Sequence, residues 1–97
     1  MEALRFEWDE TKNSSNKRKH GVSFEEARSA FADESGRLIG DPDHSDKEDR
    51  FILMAMSVRL RLLIVCHCYR RGDTIRIISA RKANRWEQDQ YEGYKDA

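Results

Sequence analysis

The sequence predicts an α+β domain spanning residues 1–97 as one unit: a single antiparallel β-sheet meander with two N-terminal helices and one C-terminal helix packed on it. Three observations lead there. Three β-rich runs, 51–57, 60–69 and 74–80, follow one another through connections far too short for the crossover that parallel neighbours require. Two helix-start signals stand upstream of them, at Asp9 and Ser23. A run from about Lys82 places Ala83, Trp86, Tyr91 and Tyr94 along roughly one helical face. A chain of 97 residues builds one modest core, burying roughly two thirds of the surface it exposes when unfolded.

Taken in order, Leu4, Phe6 and Trp8 alternate with Arg5 and Glu7, the period of a half-buried strand. Asp9 then caps a helix reaching His20, and Gly21 supplies its left-handed stop. Thr11 to His20 contains no apolar side chain. A helix that is polar all round has no stripe to bury, so its surface chemistry becomes the reason to keep it. Ser23 and Glu26 form a capping box with Val22 and Ala27 as its hydrophobic staple, and the helix that follows buries Phe24, Ala27 and Phe31. Asp33 to Gly36 ends it, Arg37 to Gly40 reads as a short strand, and Asp41 to Asp49 is an acidic loop by its turn chemistry. The meander turns near Val58 and Arg59, and again between Arg70 and Asp73 around Gly72.

Net charge is zero, from 18 basic and 18 acidic residues, but the distribution is uneven. Thr11 to His20 holds four bases and no acid, and Arg50 to Arg85 holds nine bases against Asp73 alone. Ala32 to Asp49 carries seven acids against two bases. If the fold joins the two basic stretches, one surface is strongly cationic, which is the footprint of a polyanion partner. The longest strongly apolar stretch, Leu60 to Cys68, is broken by Arg61 and His67 and is well short of the ~20 residues of a membrane helix; there is no secretory h-region. A soluble cytoplasmic protein with no membrane partner is expected. Cys66 and Cys68 are two apart in a strand-like run and share a face without a backbone reversal, so no structural disulfide is expected, which fits a reducing compartment.

Strand alternation decides which side chains can act together. Arg61, Leu63, Val65 and His67 share one face of their run and Leu62, Ile64, Cys66 and Cys68 the other, so His67 points away from both sulfurs and no metal site is expected. In the last strand Ile75, Ile77 and Ser79 fall on one face and Thr74, Arg76 and Ile78 on the other. Arg76 sits between isoleucines, where snorkelling, a carboxylate such as Glu7 or Asp9, or a bound anion would each account for it. Arg81, Lys82 and Arg85 read as the strand-to-helix connection and first helical turns, where bases oppose the helix dipole unless an anion is present. In the polar helix Lys12, Asn16, Lys19 and His20 lie close to one face. Cations can hold a phosphodiester and its transition-state charge, and histidine moves protons near neutrality. RNA needs no metal or other cofactor to be cut when its own 2′-hydroxyl attacks the phosphorus, because the protein then supplies a base, an acid and cations. These parts act together only if the polar helix and the arginine-rich end of the sheet face one cleft. His67 on an apolar strand face also reads as a buried structural residue.

The residues carry a family resemblance. Phe6-Glu7-Trp8-Asp9 with Lys12 and Asn16, then Lys19-His20-Gly21-Val22-Ser23-Phe24-Glu25-Glu26-Ala27, Asp41-Pro42-Asp43-His44-Ser45, Arg50-Phe51 and Arg76-Ile77-Ile78-Ser79-Ala80-Arg81-Lys82-Ala83 resemble the BrnT toxins of BrnT/BrnA toxin-antitoxin systems, from about Phe6 to Tyr91. The resemblance implies a RelE-like ribonuclease fold and an RNA-cleaving activity that arrests translation. It also implies a BrnA-like antitoxin with a ribbon-helix-helix domain, operator DNA being contacted through the antitoxin. Carried over by position, it implies His20, His67, Arg76, Arg81 and Lys82 as catalytic residues and Lys12, Asn16, Lys19 and Arg50 as substrate-binding residues. The chain departs from the pattern at Cys68-Tyr69-Arg70-Arg71, which is more basic and aromatic, and at Trp86. Two other classes use the same residues: a nucleic-acid-binding module without catalysis, and an interaction subunit docking a partner through Trp86, Tyr91 and Tyr94.

Overall fold

A computed structural model describes residues 4–40 and 49–95. The acidic loop expected after Gly40 falls at 41–48, outside the described residues, as does the side chain of Tyr94. The elements are β1 (Arg5–Glu7), α1 (Glu10–His20), α2 (Phe24–Ser29) running into a 3-10 turn (Ala30–Ala32), β2 (Arg37–Gly40), β3 (Arg50–Met56), β4 (Leu62–Arg70), β5 (Thr74–Lys82) and α3 (Arg85–Lys95). No helix among them is long and apolar enough to cross a membrane.

The strands form one sheet in the order β1-β5-β4-β3-β2. β2 to β5 pair antiparallel, as their short connections demand, but β1 lies parallel to β5. The sheet is therefore mixed, which corrects the expectation of a purely antiparallel one. Everything from α1 to β4 separates β1 from β5 and serves as the crossover that a parallel pair requires.

The caps explain where the helices begin and stop. Asp9 Oδ1 accepts from Lys12 N at 3.1 Å, and Gly21 (φ 71°) donates its N–H to Lys17 O at 2.9 Å. Ser23 Oγ accepts from Glu26 N at 3.1 Å. The reciprocal half of that expected box is absent, because the Glu26 carboxylate accepts instead from Ser57 Oγ (2.7 Å) and pairs with Arg61, whose guanidinium also donates to Gly21 O at 3.0 Å. A complete reciprocal box stands at α3 instead: Glu87 N donates to Asn84 Oδ1 (2.8 Å) and Asn84 N to Glu87 Oε1 (2.9 Å). It starts α3 at Arg85, so Arg81 and Lys82 end a strand rather than opening a helix, and the expected argument from the helix dipole does not reach them.

Each helix takes a different station on the sheet, unlike the expected three packed on it. α2 covers one face: Phe24, Ala27 and Ala30 pack with Val22 against Leu53, Ala55, Leu63, Val65, Ile75, Ile77 and Ala80. α3 reaches the other face, where Trp86, Glu87 and Gln90 stand over Ile52, Met54 and Ile64, and the buried Tyr91 donates its hydroxyl to Asp33 Oδ2 at 2.6 Å. Burial and that hydrogen bond push the Tyr91 phenol up to about 12. α1 lies along the edge of β5. β1 covers that edge only from Thr74 to Arg76, and further along Asn16 takes a strand's place, accepting from Ala80 N (3.1 Å) and donating to Ala80 O (2.7 Å) and Val22 O (2.9 Å). Asn13 Oδ1 accepts from Phe24 N at 2.8 Å. Two buried amides thus fasten a helix that has no apolar stripe, which is why its sequence needs none.

Candidate nucleic-acid interface

In a regular strand Arg76 and Arg81 would point to opposite faces, since five residues separate them. A bulge prevents this. Cys66 pairs with Ser79 but the next residue, His67, pairs with Ile77, so Ile78 is the extra residue in β5. Past it the alternation reverses: Ala80, not Ser79 as expected, joins Ile75 and Ile77 in the core, and Arg81 turns to the face that carries Arg76.

That face is the one opposite α2, and the register orders it in rows. Glu7, Arg76, Cys68 and Arg50 lie side by side across β1, β5, β4 and β3. Ser79, Cys66, Ile52 and Ile39 form the next row, and Arg81, Ile64, Met54 and Arg37 the one after. Arg50 and Arg76 are two strands apart, roughly 10 Å at the usual spacing, a span a nucleotide can bridge. The helix at the edge contributes to the same side. With Asn16 facing β5 and Asn13 turned towards α2, the 100° helical step sends Lys12 and Lys19 roughly 40° and 60° the other way, towards the face of Arg76 and Arg81.

The electrostatics are those of cations held by carboxylates. Glu7 Oε2 accepts from Arg76 at 2.9 Å, Glu7 Oε1 accepts from Arg71 at 2.9 Å, and Arg70 Nε is 3.9 Å from Oε2. Its hydrogen bond with Arg76 holds the Glu7 carboxyl below the ordinary range against partial desolvation. Three guanidiniums around one carboxylate leave a cationic excess at the start of β5. Arg81 makes a bidentate pair with Glu87 (2.8 Å twice), which lowers the Glu87 carboxyl and raises the Arg81 guanidinium. Such an array can grip a phosphodiester and stabilise charge developing on it.

Of the candidate residues, Arg50, Arg76 and Arg81 share this face, with Lys12 and Lys19 at its edge. The others are elsewhere. Lys82 pairs with the core residue Leu63 and so falls on the α2 side of the sheet. Asn16 is buried with its amide bonded inside the protein, a fastening rather than a surface group. His20 is half-buried at the end of α1, turned to the α2 side of Asn16, beside the Arg61 contact to Gly21. His67 is fully buried, edge-on to Phe31 (4.9 Å) and Tyr69 (5.5 Å), and its Nδ1 lies 3.1 Å from Val65 O. A carbonyl at Nδ1 makes that nitrogen the donor, leaving Nε2 buried with no hydrogen-bond partner. Enclosed on all sides, this ring presents no atom at the surface.

Burial lowers the His67 pKa below the ordinary histidine value of 6.5. The unfolded chain therefore takes up a proton that the folded one refuses, and stability falls as pH drops below about 6.5 by up to about 1.4 kcal/mol per pH unit. His67→Phe is expected to flatten the change in melting temperature between pH 7.5 and 5.5. An unaltered slope would show that another group sets it.

Glu7, Arg70 and Arg71 complete the cationic row, and only Glu7 was foreseen, as one possible partner of Arg76. The basic turn at 70–71 was visible as a departure from the family pattern, but only the parallel placement of β1 brings Glu7 to it.

The fold is a small α+β domain built on a mixed five-stranded sheet, one face of which gathers Arg50, Arg76 and Arg81. A family model described as "Ribonuclease toxin, BrnT, of type II toxin-antitoxin system" matches residues 8–87, and the chain belongs to that family. The crystal structure of the Brucella abortus ribonuclease toxin BrnT superimposes with a TM-score of 0.66 at 22% identity, covering 86% of this chain and 100% of that one, which establishes the shared fold. No curated protein sequence matches the chain.

Proposed function

We propose that this chain is an endoribonuclease that cuts RNA without a metal, through attack by the RNA's own 2′-hydroxyl, and thereby arrests translation in the cytoplasm. A BrnA-like ribbon-helix-helix antitoxin holds it inactive, and operator DNA is reached only through that antitoxin. The observation that carries the reading is the β5 bulge, which turns Arg81 to the face already holding Arg76 and Arg50. Arg76, Arg81 and Arg50 grip the scissile phosphate and its developing charge, and Lys12 and Lys19 follow the backbone along the β5 edge. Lys82 adds to the field from the end of that strand. Glu7 positions the guanidiniums of Arg76 and Arg71, while His20, turned to the α2 side of Asn16, stands off this face and takes no part in the grip.

The purified chain is expected to cleave RNA in excess chelator, leaving 2′,3′-cyclic phosphate ends, and to spare RNA methylated at every 2′-oxygen. A strict requirement for a divalent cation would contradict the mechanism. RNA bound in a salt-sensitive way yet left intact would reduce the protein to a binding module.

A further inference from the structure

Arg81, one of the three arginines of the phosphate grip, meets RNA with its fork already occupied. Its Nη1 and Nη2 donate to Glu87 Oε1 and Oε2, both at 2.8 Å, and Nη1 also donates to Lys82 O at 3.3 Å. Arg76 is held differently. It gives one bond, from Nη1 to Glu7 Oε2, and Glu7 is shared with Arg71 at 2.9 Å and Arg70 at 3.9 Å, so the start of β5 keeps its cationic excess. At the other end of the strand Arg81 and Glu87 form a closed bidentate pair. A carboxylate and a phosphate each present two oxygens that match the two parallel N–H donors of a guanidinium, so they compete for the same fork.

The pair is placed for exchange. The Arg81 side chain is 43% exposed, which lets a phosphate approach from solvent. Glu87 can release it without loss of α3. Its Oε1 also accepts from Asn84 N (2.9 Å) and its own N–H donates to Asn84 Oδ1 (2.8 Å), while Gln88 Nε2 on Ala83 O (3.1 Å) and the Tyr91 hydroxyl on Asp33 Oδ2 (2.6 Å) pin the helix on either side of those bonds. The hydrogen bonds from Arg81 hold the Glu87 carboxyl below the ordinary range, so near neutral pH it competes as a full negative charge.

We propose that Glu87 is an internal competitor for the RNA phosphate: its carboxylate occupies the Arg81 fork in the free chain and is displaced when RNA binds, so that it sets the affinity of the cationic face. This rests on the reading of Arg81 as a phosphate contact. Freeing the fork raises the fraction of molecules ready to bind, and apparent affinity rises with it. A pair that only braces α3 would give no such gain.

Glu87→Gln tests this, because glutamine keeps the reciprocal cap with Asn84 and takes the charge away from Arg81. Asp89→Asn, on the same helix and paired with Arg85 at 3.8 Å, is the matched loss of one negative charge. Binding is read with an RNA oligonucleotide methylated at every 2′-oxygen, so that it does not depend on cleavage. Glu87→Gln is expected to bind this RNA about fivefold more tightly than the unaltered chain does, and to lower KM for cleavable RNA by a similar factor with kcat within about twofold. Asp89→Asn is expected to change affinity by less than about twofold, and the double variant Arg81→Ala, Glu87→Gln to bind no more tightly than Arg81→Ala alone. A gain below twofold in Glu87→Gln, an equal gain in Asp89→Asn, or a gain that survives in the Arg81→Ala background overturns the proposal. Should Glu87→Gln unfold, the unaltered chain supplies the answer through the Glu87 side-chain carboxyl carbon in NMR. That signal is expected to shift as the methylated RNA saturates the protein, and an unmoved signal overturns the exchange. RNA bound but never cut by the unaltered chain defeats the nuclease reading alone, and the Glu87→Gln gain is then read from affinity.

Discussion

Arg76→Ala is expected to lower RNA cleavage by about 100- to 1,000-fold, the usual effect of removing a group aimed at transition-state charge. The fold should survive it. The Arg76 side chain is 30% exposed and its ion pair with Glu7 is of the partly solvated kind, which contributes little to stability. Arg71 stays at 2.9 Å from Glu7 Oε1, so the carboxylate keeps a partner in the variant. Arg76→Lys retains the charge and loses the planar fork, so intermediate activity is expected. Rates measured beside circular dichroism and melting curves check this; a folded Arg76→Ala protein with near-normal cleavage would remove Arg76 from the site.

The second large effect concerns stability. Asn16→Ala removes three hydrogen bonds at once and strands Ala80 N, Ala80 O and Val22 O, backbone groups with no replacement strand beside them. Losing buried partners of this kind costs about 3 kcal/mol in sum. For a domain of this size that is a fall in melting temperature of roughly 12–24 °C. Asn16→Asp keeps the acceptor for Ala80 N but turns a carboxylate oxygen on the Ala80 and Val22 carbonyls, so a fall at least as large is expected near neutral pH. Calorimetry at pH 7.5 reads both. A melting temperature within a few degrees of normal for Asn16→Ala would show that the edge of β5 is closed by something other than α1. Because Lys12 and Lys19 ride on α1, the same variant is also expected to weaken RNA binding.

Much of the fold was legible because its signals are local. The Asp9 and Ser23 caps, the Gly21 stop and the alternation of β3 and β4 sit within a few residues of the features they specify. The parallel β1 was not legible, since pairing Glu7 with Arg76 joins residues 69 positions apart, and short-range periodicity is silent on that. The Ile78 bulge hides for a similar reason: Thr74 to Lys82 alternates plausibly in either phase, and only pairing with β4 decides that Ala80 goes inward. Reading the strand without its partner puts Arg81 on the wrong face.

The polar helix was correctly flagged as anomalous, but its explanation was half found. Lys12 and Lys19 do sit at the surface, whereas Asn16, on the same expected face, turned out to be the fastener. An asparagine that bonds a strand edge and one that bonds a ligand look alike in sequence. His67 shows the same ambiguity, for strand alternation puts it on the core face without telling that it is wedged among Phe31, Phe51 and Tyr69. Glu26 was read as half of a capping box, and the distant Arg61 and Ser57 claim its carboxylate instead.

Amide chemical-shift mapping with an RNA oligonucleotide methylated at every 2′-oxygen tests most directly whether the bulged sheet face receives the substrate. Perturbations are expected at Arg50, Cys68, Arg76, Ser79 and Arg81, with Lys12 and Lys19 at the margin, and their midpoint should rise steeply with salt. Perturbations confined to α2 and the Glu26–Arg61 side, with the Arg50, Arg76 and Arg81 amides unmoved, would contradict it.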